Sequence, residues 1–175
     1  MRLIRRVAAL LAIATMIAVV AAFGLVSPAS AASSDCKVYN KKTLYVICVD
    51  VSAQRGSVRS AKDGKIGDKV IRTFTVSTSR VDSDGPKKNG DTITRQGQFL
   101  AYNAQEYTSE GLQHYIQFGP GEQGVHYYPN IGPKYDSHGC VRVGREASDA
   151  MWKLLVTGDQ GNLVTAGRVE VHIYP

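Results

Sequence analysis

Residues 43–51 read TLYVICVDV. β-Branched and aromatic side chains dominate this stretch, a composition that suits a pleated strand better than a helix. Alternation places Leu44, Val46, Cys48 and Asp50 on one face and Tyr45, Ile47, Val49 and Val51 on the other. The same period of two recurs outward along the chain. Residues 68–79 (DKVIRTFTVSTS) set Val70, Arg72, Phe74 and Val76 against Ile71, Thr73, Thr75 and Ser77. The Gly- and Asp-rich run 61–69 before them predicts a turn, and residues 80–93, with Asp-Gly-Pro and Asn-Gly, predict an exposed loop. Short strands are predicted over 97–105 and on either side of residues 119–122. A last one spans 168–175, where Val169, Val171 and Ile173 alternate with Glu170 and His172. One helix is predicted, over 144–158. Ala147, Met151 and Leu154 recur at helical spacing there, with Ala150 and Leu155 beside them. Glu146 and Asp149 sit in its first turns, and Gly158 is placed as a C-cap. Met151, Trp152 and Leu155 read as core. There is no internal repeat and no second domain, so the expected fold is mainly β with one helix beside the sheet.

The first residues carry an address. Arg2, Arg5 and Arg6 precede an apolar run over 7–26, followed by SPASAASS. This is the pattern of a secretory signal cleaved after Ala31 or Ala32. The apolar run also approaches the roughly 20 residues that span a bilayer, so an uncleaved anchor is the alternative. Cys36 lacks the Leu-x-x-Cys context of a lipidation site. Removing residues 1–31 leaves 144, enough for one domain with a sizeable core. The signal holds three of the 21 Lys and Arg and no acidic residue; 18 cations against 15 acids give +3 in place of +6. No basic run points to nucleic acid, and +3 is compatible with an anionic wall polymer as partner.

Export means an oxidising compartment. Cys36 and Cys48 flank KVYNKKTLYVI, which reads as strand, Asn-Lys-Lys turn, strand, a layout that permits a disulfide. If they pair, Cys140 is left over, as an intermolecular bridge, a reactive thiol or an inert buried Cys.

Cys140 sits in YDSHGCVRVG, residues 135–144. A cysteine is nucleophilic as thiolate, and its ordinary pKa of ~8.5 leaves it mostly protonated at neutral pH. A histidine in hydrogen-bond reach removes that proton. Two are candidates. His138, two residues away, shares a face with Cys140 if the segment is extended. His126 stands at the end of a predicted strand, and a reversal through residues 128–137 would bring it alongside. Gly139 allows a tight bend whose amides can face an oxyanion. Arg142 supplies a cation able to hold a carboxylate, or makes a structural ion pair.

GVH followed by SHGCVRV closely resembles the signature of YkuD-type L,D-transpeptidase catalytic domains. YVICVDVSAQRGSV resembles the family's opening strand and Ser-x-Gln-Arg. DGKIGDKVIRTFTVSTS resembles the hairpin that follows, and TITRQGQFLA the TPxGxF stretch. The resemblance covers about residues 42–174 and implies a mixed, sandwich-like β-sheet with one helix after the cysteine motif. It implies Cys140 as nucleophile and His126 as general base, oriented by a backbone carbonyl near Tyr127. His138 and Ser137 would shape the pocket, the amides of Gly139 and Cys140 would form the oxyanion hole, and Arg142 would contact a stem-peptide carboxylate. The expected substrate is a peptidoglycan stem tetrapeptide, attacked at the diamino acid–D-Ala bond. The thioester would pass to an amine, giving a 3→3 crosslink, or to water. Neither metal nor cofactor is implied, carbapenems are expected to acylate the cysteine, and a monomer outside the cytoplasm is expected.

Three departures stand out. Tyr127 and Tyr128 follow His126 where the family usually has Gly, and they either narrow the donor site or pack on the sheet. The loop from His126 to Ser137 is shorter, and the TPxGxF proline is missing although Gly97 and Phe99 remain. A non-catalytic wall-binding relative is therefore a second reading. A zinc site of His114, His126, His138 and Cys140 is a third, weakened by the lack of a Cys-x-x-Cys pair. Papain-like and NlpC-type peptidases place Cys before His, the reverse of the order here.

Overall fold

The computed structural model describes residues 35–79, 93–119, 121–132, 136–157, 162–163 and 168–175. The signal expected at 1–31, most of the loop expected over 80–93 and the expected C-cap Gly158 lie outside the described residues. Among the described residues, ten strands and one helix are assigned. They are β1 (Tyr45–Asp50), β2 (Arg55–Lys62), β3 (Lys65–Ser77), β4 (Gly97–Tyr107), β5 (Gln113–Phe118), β6 (Gly124–Tyr127), β7 (Val141–Val143), α1 (Arg145–Leu155), β8 (Val156–Thr157), β9 (Asn162–Leu163) and β10 (Val169–Tyr174). Eight strands make one mixed sheet that closes on itself in the order β1-β10-β4-β5-β6-β7-β3-β2. Closure removes the free edges that an open sheet would expose.

The period of two in β1 becomes two hydrophobic clusters. Ile47, Val49 and Val51 join Val58, Val76, Phe118, Val141 and Ile173 in the main core. Val46 and Cys48 face outward and are buried by Cys36 and Tyr174. β10 lies parallel to β1 and is buried on both faces. Its outward Glu170 accepts hydrogen bonds from the N–H groups of Tyr39 (3.1 Å) and Asn40 (2.7 Å) and from the Thr43 hydroxyl (2.6 Å). His172 Nδ1 accepts the Lys37 N–H at 2.8 Å. Residues 36–43 thus cover the outer face of β1 and β10, and the Cys36–Cys48 disulfide (Cα–Cα 5.7 Å) fastens them there. The segment before the Asn-Lys-Lys turn is therefore no hairpin strand; side chains of β10 receive its backbone donors.

The expected turn over 61–69 shrinks to Asp63 and Gly64, both at positive φ (53° and 76°). Positive φ at both central residues is the geometry of a tight two-residue hairpin. Its flanks continue as β2, which the sequence reading did not assign, and as the start of β3. The two strands expected around residues 119–122 are β5 and β6.

α1 buries Ala147, Ser148, Met151 and Leu155, while Trp152 stacks on His114 with ring centroids 4.8 Å apart. The helix stops three residues before the expected end. Val156 still donates its N–H to Trp152 O, but its own backbone is extended (φ −119°, ψ 132°) and opens β8.

Candidate active site

Parallel pairing of β6 with β7 builds the site. Val125 stands opposite Val141, His126 opposite Arg142 and Tyr127 opposite Val143. One step earlier, Gly124 falls beside Cys140. Side chains alternate, so Val125, Val141 and Val143 enter the core while His126, Cys140 and Arg142 share the outer face. The strands are parallel, and the reversal expected between them is a full return of the chain over residues 128–140.

His126 is 3% exposed. Its Nδ1 lies 2.8 Å from Tyr127 O. A carbonyl only accepts, so Nδ1 carries the proton and Nε2 holds the free lone pair. Burial pushes the imidazole below its ordinary 6.5 against the pull of the Tyr127 carbonyl, and the Arg142 cation adds to the lowering. Burial pushes the Cys140 thiol above 9.0; a hydrogen bond from the Gly124 backbone and the Arg142 charge oppose this, while Glu110 and Glu122 add to it. At neutral pH the pair thus rests as thiol and neutral imidazole. Burial of both groups disfavours the separated charges at rest.

The Glu122 carbonyl accepts from the Cys140 thiol at 3.8 Å and from the Tyr115 hydroxyl at 2.6 Å. Tyr115 lies across Gly124: a Cβ there would stand 2.3 Å from its Cε2. Burial raises the Tyr115 phenol well beyond its usual range, with the nearby Cys140 charge adding to the effect. Tyr115 was not singled out from the sequence, although a glycine inside a strand, here Gly124 of the GVH motif, signals a close approach.

Ser137 acts as a latch. Its hydroxyl donates to Cys140 O at 2.5 Å and accepts the Gly139 N–H at 3.2 Å, and its own N–H donates to Thr78 O at 3.3 Å. Gly139 sits at φ +116°, where a side chain would be strained. The Gly139 amide expected in the oxyanion hole is therefore directed at Ser137, leaving the Cys140 N–H as the amide of that pair to test. His138 is exposed and lines the cleft.

Arg142 is committed within the fold. Its Nη1 donates to Asp136 O (2.9 Å) and Oδ1 (3.2 Å), and its guanidinium lies 4.1 Å from the centre of the Tyr128 ring. The structural ion pair is thus the role that its contacts describe. Tyr127 turns to the other face of β6, with its ring 3.7 Å from the Arg145 guanidinium, and Tyr128 is the tyrosine that lines the cleft. The cleft over the thiol measures about 420 Å³ and also receives Arg95, Glu110, Glu122 and His138. His114 packs against α1, with Nδ1 3.1 Å from Ser148 Oγ, so the four zinc candidates do not converge.

A family model for the L,D-transpeptidase catalytic domain, YkuD, matches residues 44–172. The chain belongs to this family. The fold of the L,D-transpeptidase domain is similar to that of solved structures. One is an L,D-transpeptidase from Xylanimonas cellulosilytica (21% identity, TM-score 0.51, 78% of this chain and 63% of that one). Another is from Stackebrandtia nassauensis (20%, TM-score 0.55, 82% and 60%). A third, LdtMt1, is described in complex with imipenem (17%, TM-score 0.51, 75% and 59%). The chain therefore spans less than two thirds of the length of these solved chains. Among curated proteins, none matches by sequence.

Proposed function

We propose that this L,D-transpeptidase domain is an exported acyltransferase that joins peptidoglycan stem peptides through Cys140. The observation that carries the reading is the delivery of Cys140 and His126 to one face by parallel β6 and β7, with the His126 tautomer set by Tyr127 O. Nε2 of His126 takes the thiol proton as sulfur attacks the carbonyl of the third-residue diamino acid in a stem tetrapeptide. The negative charge moves to the carbonyl oxygen, near the Cys140 N–H. When the tetrahedral centre collapses, the imidazolium returns its proton to the leaving nitrogen of D-Ala, and a thioester remains. An amine of a second stem then attacks, His126 accepts its proton, and the thiol is restored as the 3→3 amide forms. Water in place of the amine gives a tripeptide.

A neutral resting pair fits this sequence. The proton moves only when a substrate carbonyl is available to receive the sulfur's electrons. The export pattern before residue 32 and the Cys36–Cys48 disulfide support an extracytoplasmic site. The test is incubation with a disaccharide tetrapeptide and mass analysis: a crosslinked dimer is expected. Tripeptide alone would make the enzyme an L,D-carboxypeptidase. No product, together with no adduct on Cys140 from a carbapenem, would overturn the catalytic reading and leave a wall-binding domain.

A further inference from the structure

Arg95 enters the cleft from a part of the chain remote from the cysteine motif. Counting back from Gly97 and Phe99, it stands where the family pattern of TPxGxF has its proline. Its backbone is clamped: the Arg95 N–H donates to Gln123 Oε1 at 3.1 Å, and Gln123 Nε2 donates to Ile93 O at 2.7 Å. Gln123 immediately precedes Gly124, whose backbone bonds the thiol. The clamp thus ties the root of Arg95 to the residue before β6, while its side chain is exposed and lines the same cleft as Cys140. Among the described residues, no carboxylate pairs with this guanidinium. Arg142 differs, because Asp136 and Tyr128 already hold it. The remaining charged walls are Glu110 and Glu122. Without Arg95, the one arginine left on the cleft wall is Arg142, which is already paired with Asp136.

We propose that Arg95 is the specificity-determining cation of the cleft, selecting donor peptides that present a free carboxylate near the attacked bond. The nature of the peptide rests on the transpeptidase reading; the anion preference rests on the cleft alone. In a stem tetrapeptide that carboxylate belongs either to the terminal D-residue or to a preceding side chain, and both offer the planar pair of oxygens that a guanidinium binds in a fork.

Two measurements on the protein and its Arg95→Ala variant test this. In the first, Cys140 is alkylated with anionic iodoacetate and with neutral iodoacetamide. Arg95→Ala should lower the ratio of the two rates roughly 3- to 10-fold at low salt, the scale of a single local charge. Arg95→Lys should recover part of it, and an unchanged ratio overturns the proposal. In the second, KM and kcat are measured for tetrapeptides amidated at the terminus, at the side chain, or at neither. Arg95→Ala should raise KM about 10-fold for peptides keeping the recognised carboxylate, the scale of one lost charge-assisted bond, and leave kcat little changed. The peptide lacking that carboxylate should be indifferent to the substitution, which identifies the source. Equal losses on all three peptides would refute carboxylate selection. If the wild type turns over none of them while the alkylation ratio still responds to Arg95, the transpeptidase reading fails and the anion site stands.

Discussion

Gln54 offers the sharpest test of how the fold supports the site. It is 2% exposed and sits at φ +50°. Its Nε2 donates to Val51 O (2.6 Å) and Thr78 Oγ1 (2.7 Å), and its Oε1 accepts the Thr78 N–H at 3.0 Å. Thr78 is fully buried, and its carbonyl accepts the Ser137 N–H that begins the cysteine loop. Gln54→Ala removes three hydrogen bonds and strands the Thr78 N–H away from water. A stranded buried group costs about 1–3 kcal/mol, and the lost hydroxyl partner and the cavity add to it, so about 3 kcal/mol is expected. At a typical urea slope this lowers the unfolding midpoint by roughly 1–2 M. Trp152 is the single tryptophan and stacks at the contact between helix and sheet, so its fluorescence reports unfolding. Cys140 is the free cysteine, so its alkylation reports the loop. Gln54→Gly should be more stable than Gln54→Ala by about 1 kcal/mol, because glycine relieves the positive φ. A loss below about 0.5 kcal/mol for Gln54→Ala, within the range of an ordinary surface change, with Gly no better than Ala, would refute the clamp.

Other expectations follow from single contacts. His126 and His172 both titrate below 6.5, chiefly because they are buried. The unfolded chain therefore binds these protons first, so their contribution is complete above pH 6.5 and is lost as pH falls from there through the lowered folded values. Urea midpoints should be lower at pH 5 than at pH 7.5, and equal midpoints would contradict the burial argument. The thiol titrates above 9.0, so iodoacetamide reactivity should still be climbing at pH 9; a plateau reached below pH 7 would mean a resting thiolate. Gly124→Ala drives a Cβ into the Tyr115 ring and should cost about 1–3 kcal/mol. Tyr115→Ala in the same chain should relieve part of that cost, and strict additivity in the double-mutant cycle would sink the clash. Replacing Cys36 and Cys48 by Ser opens a link between residues 12 apart and should cost about 3 kcal/mol by chain entropy, read from the same urea curves. A double Ser variant as stable as the wild type would rule that constraint out.

Local pattern made much of this protein legible. The alternation in residues 43–51 fixes the two faces of β1, and both faces are buried as it requires. The helix after the cysteine motif follows from spacing alone, as does the order histidine, loop, Ser-His-Gly-Cys. The motif also named the family, because seven adjacent residues carry it. Local pattern failed where a residue's role depends on a distant partner. Residues 61–69 read as one loop because Gly and Asp dominate them, yet the ladder between β2 and β3 draws all but two into strands. Arg142 looked available until Asp136 and Tyr128 folded onto it, and Tyr127 looked like a pocket residue until its place in β6 turned it under Arg145. Arg95 and Gln123 are 28 positions apart, and Tyr115 reaches Gly124 across a strand pair. Protonation belongs to the same class: a sequence shows that a thiol and an imidazole exist, but the apolar layer packed beneath them decides that both rest uncharged. Sequence supplies the chemical groups and their local geometry, whereas strand register and depth of burial, set by the closed sheet, decide which groups meet and in what charge state.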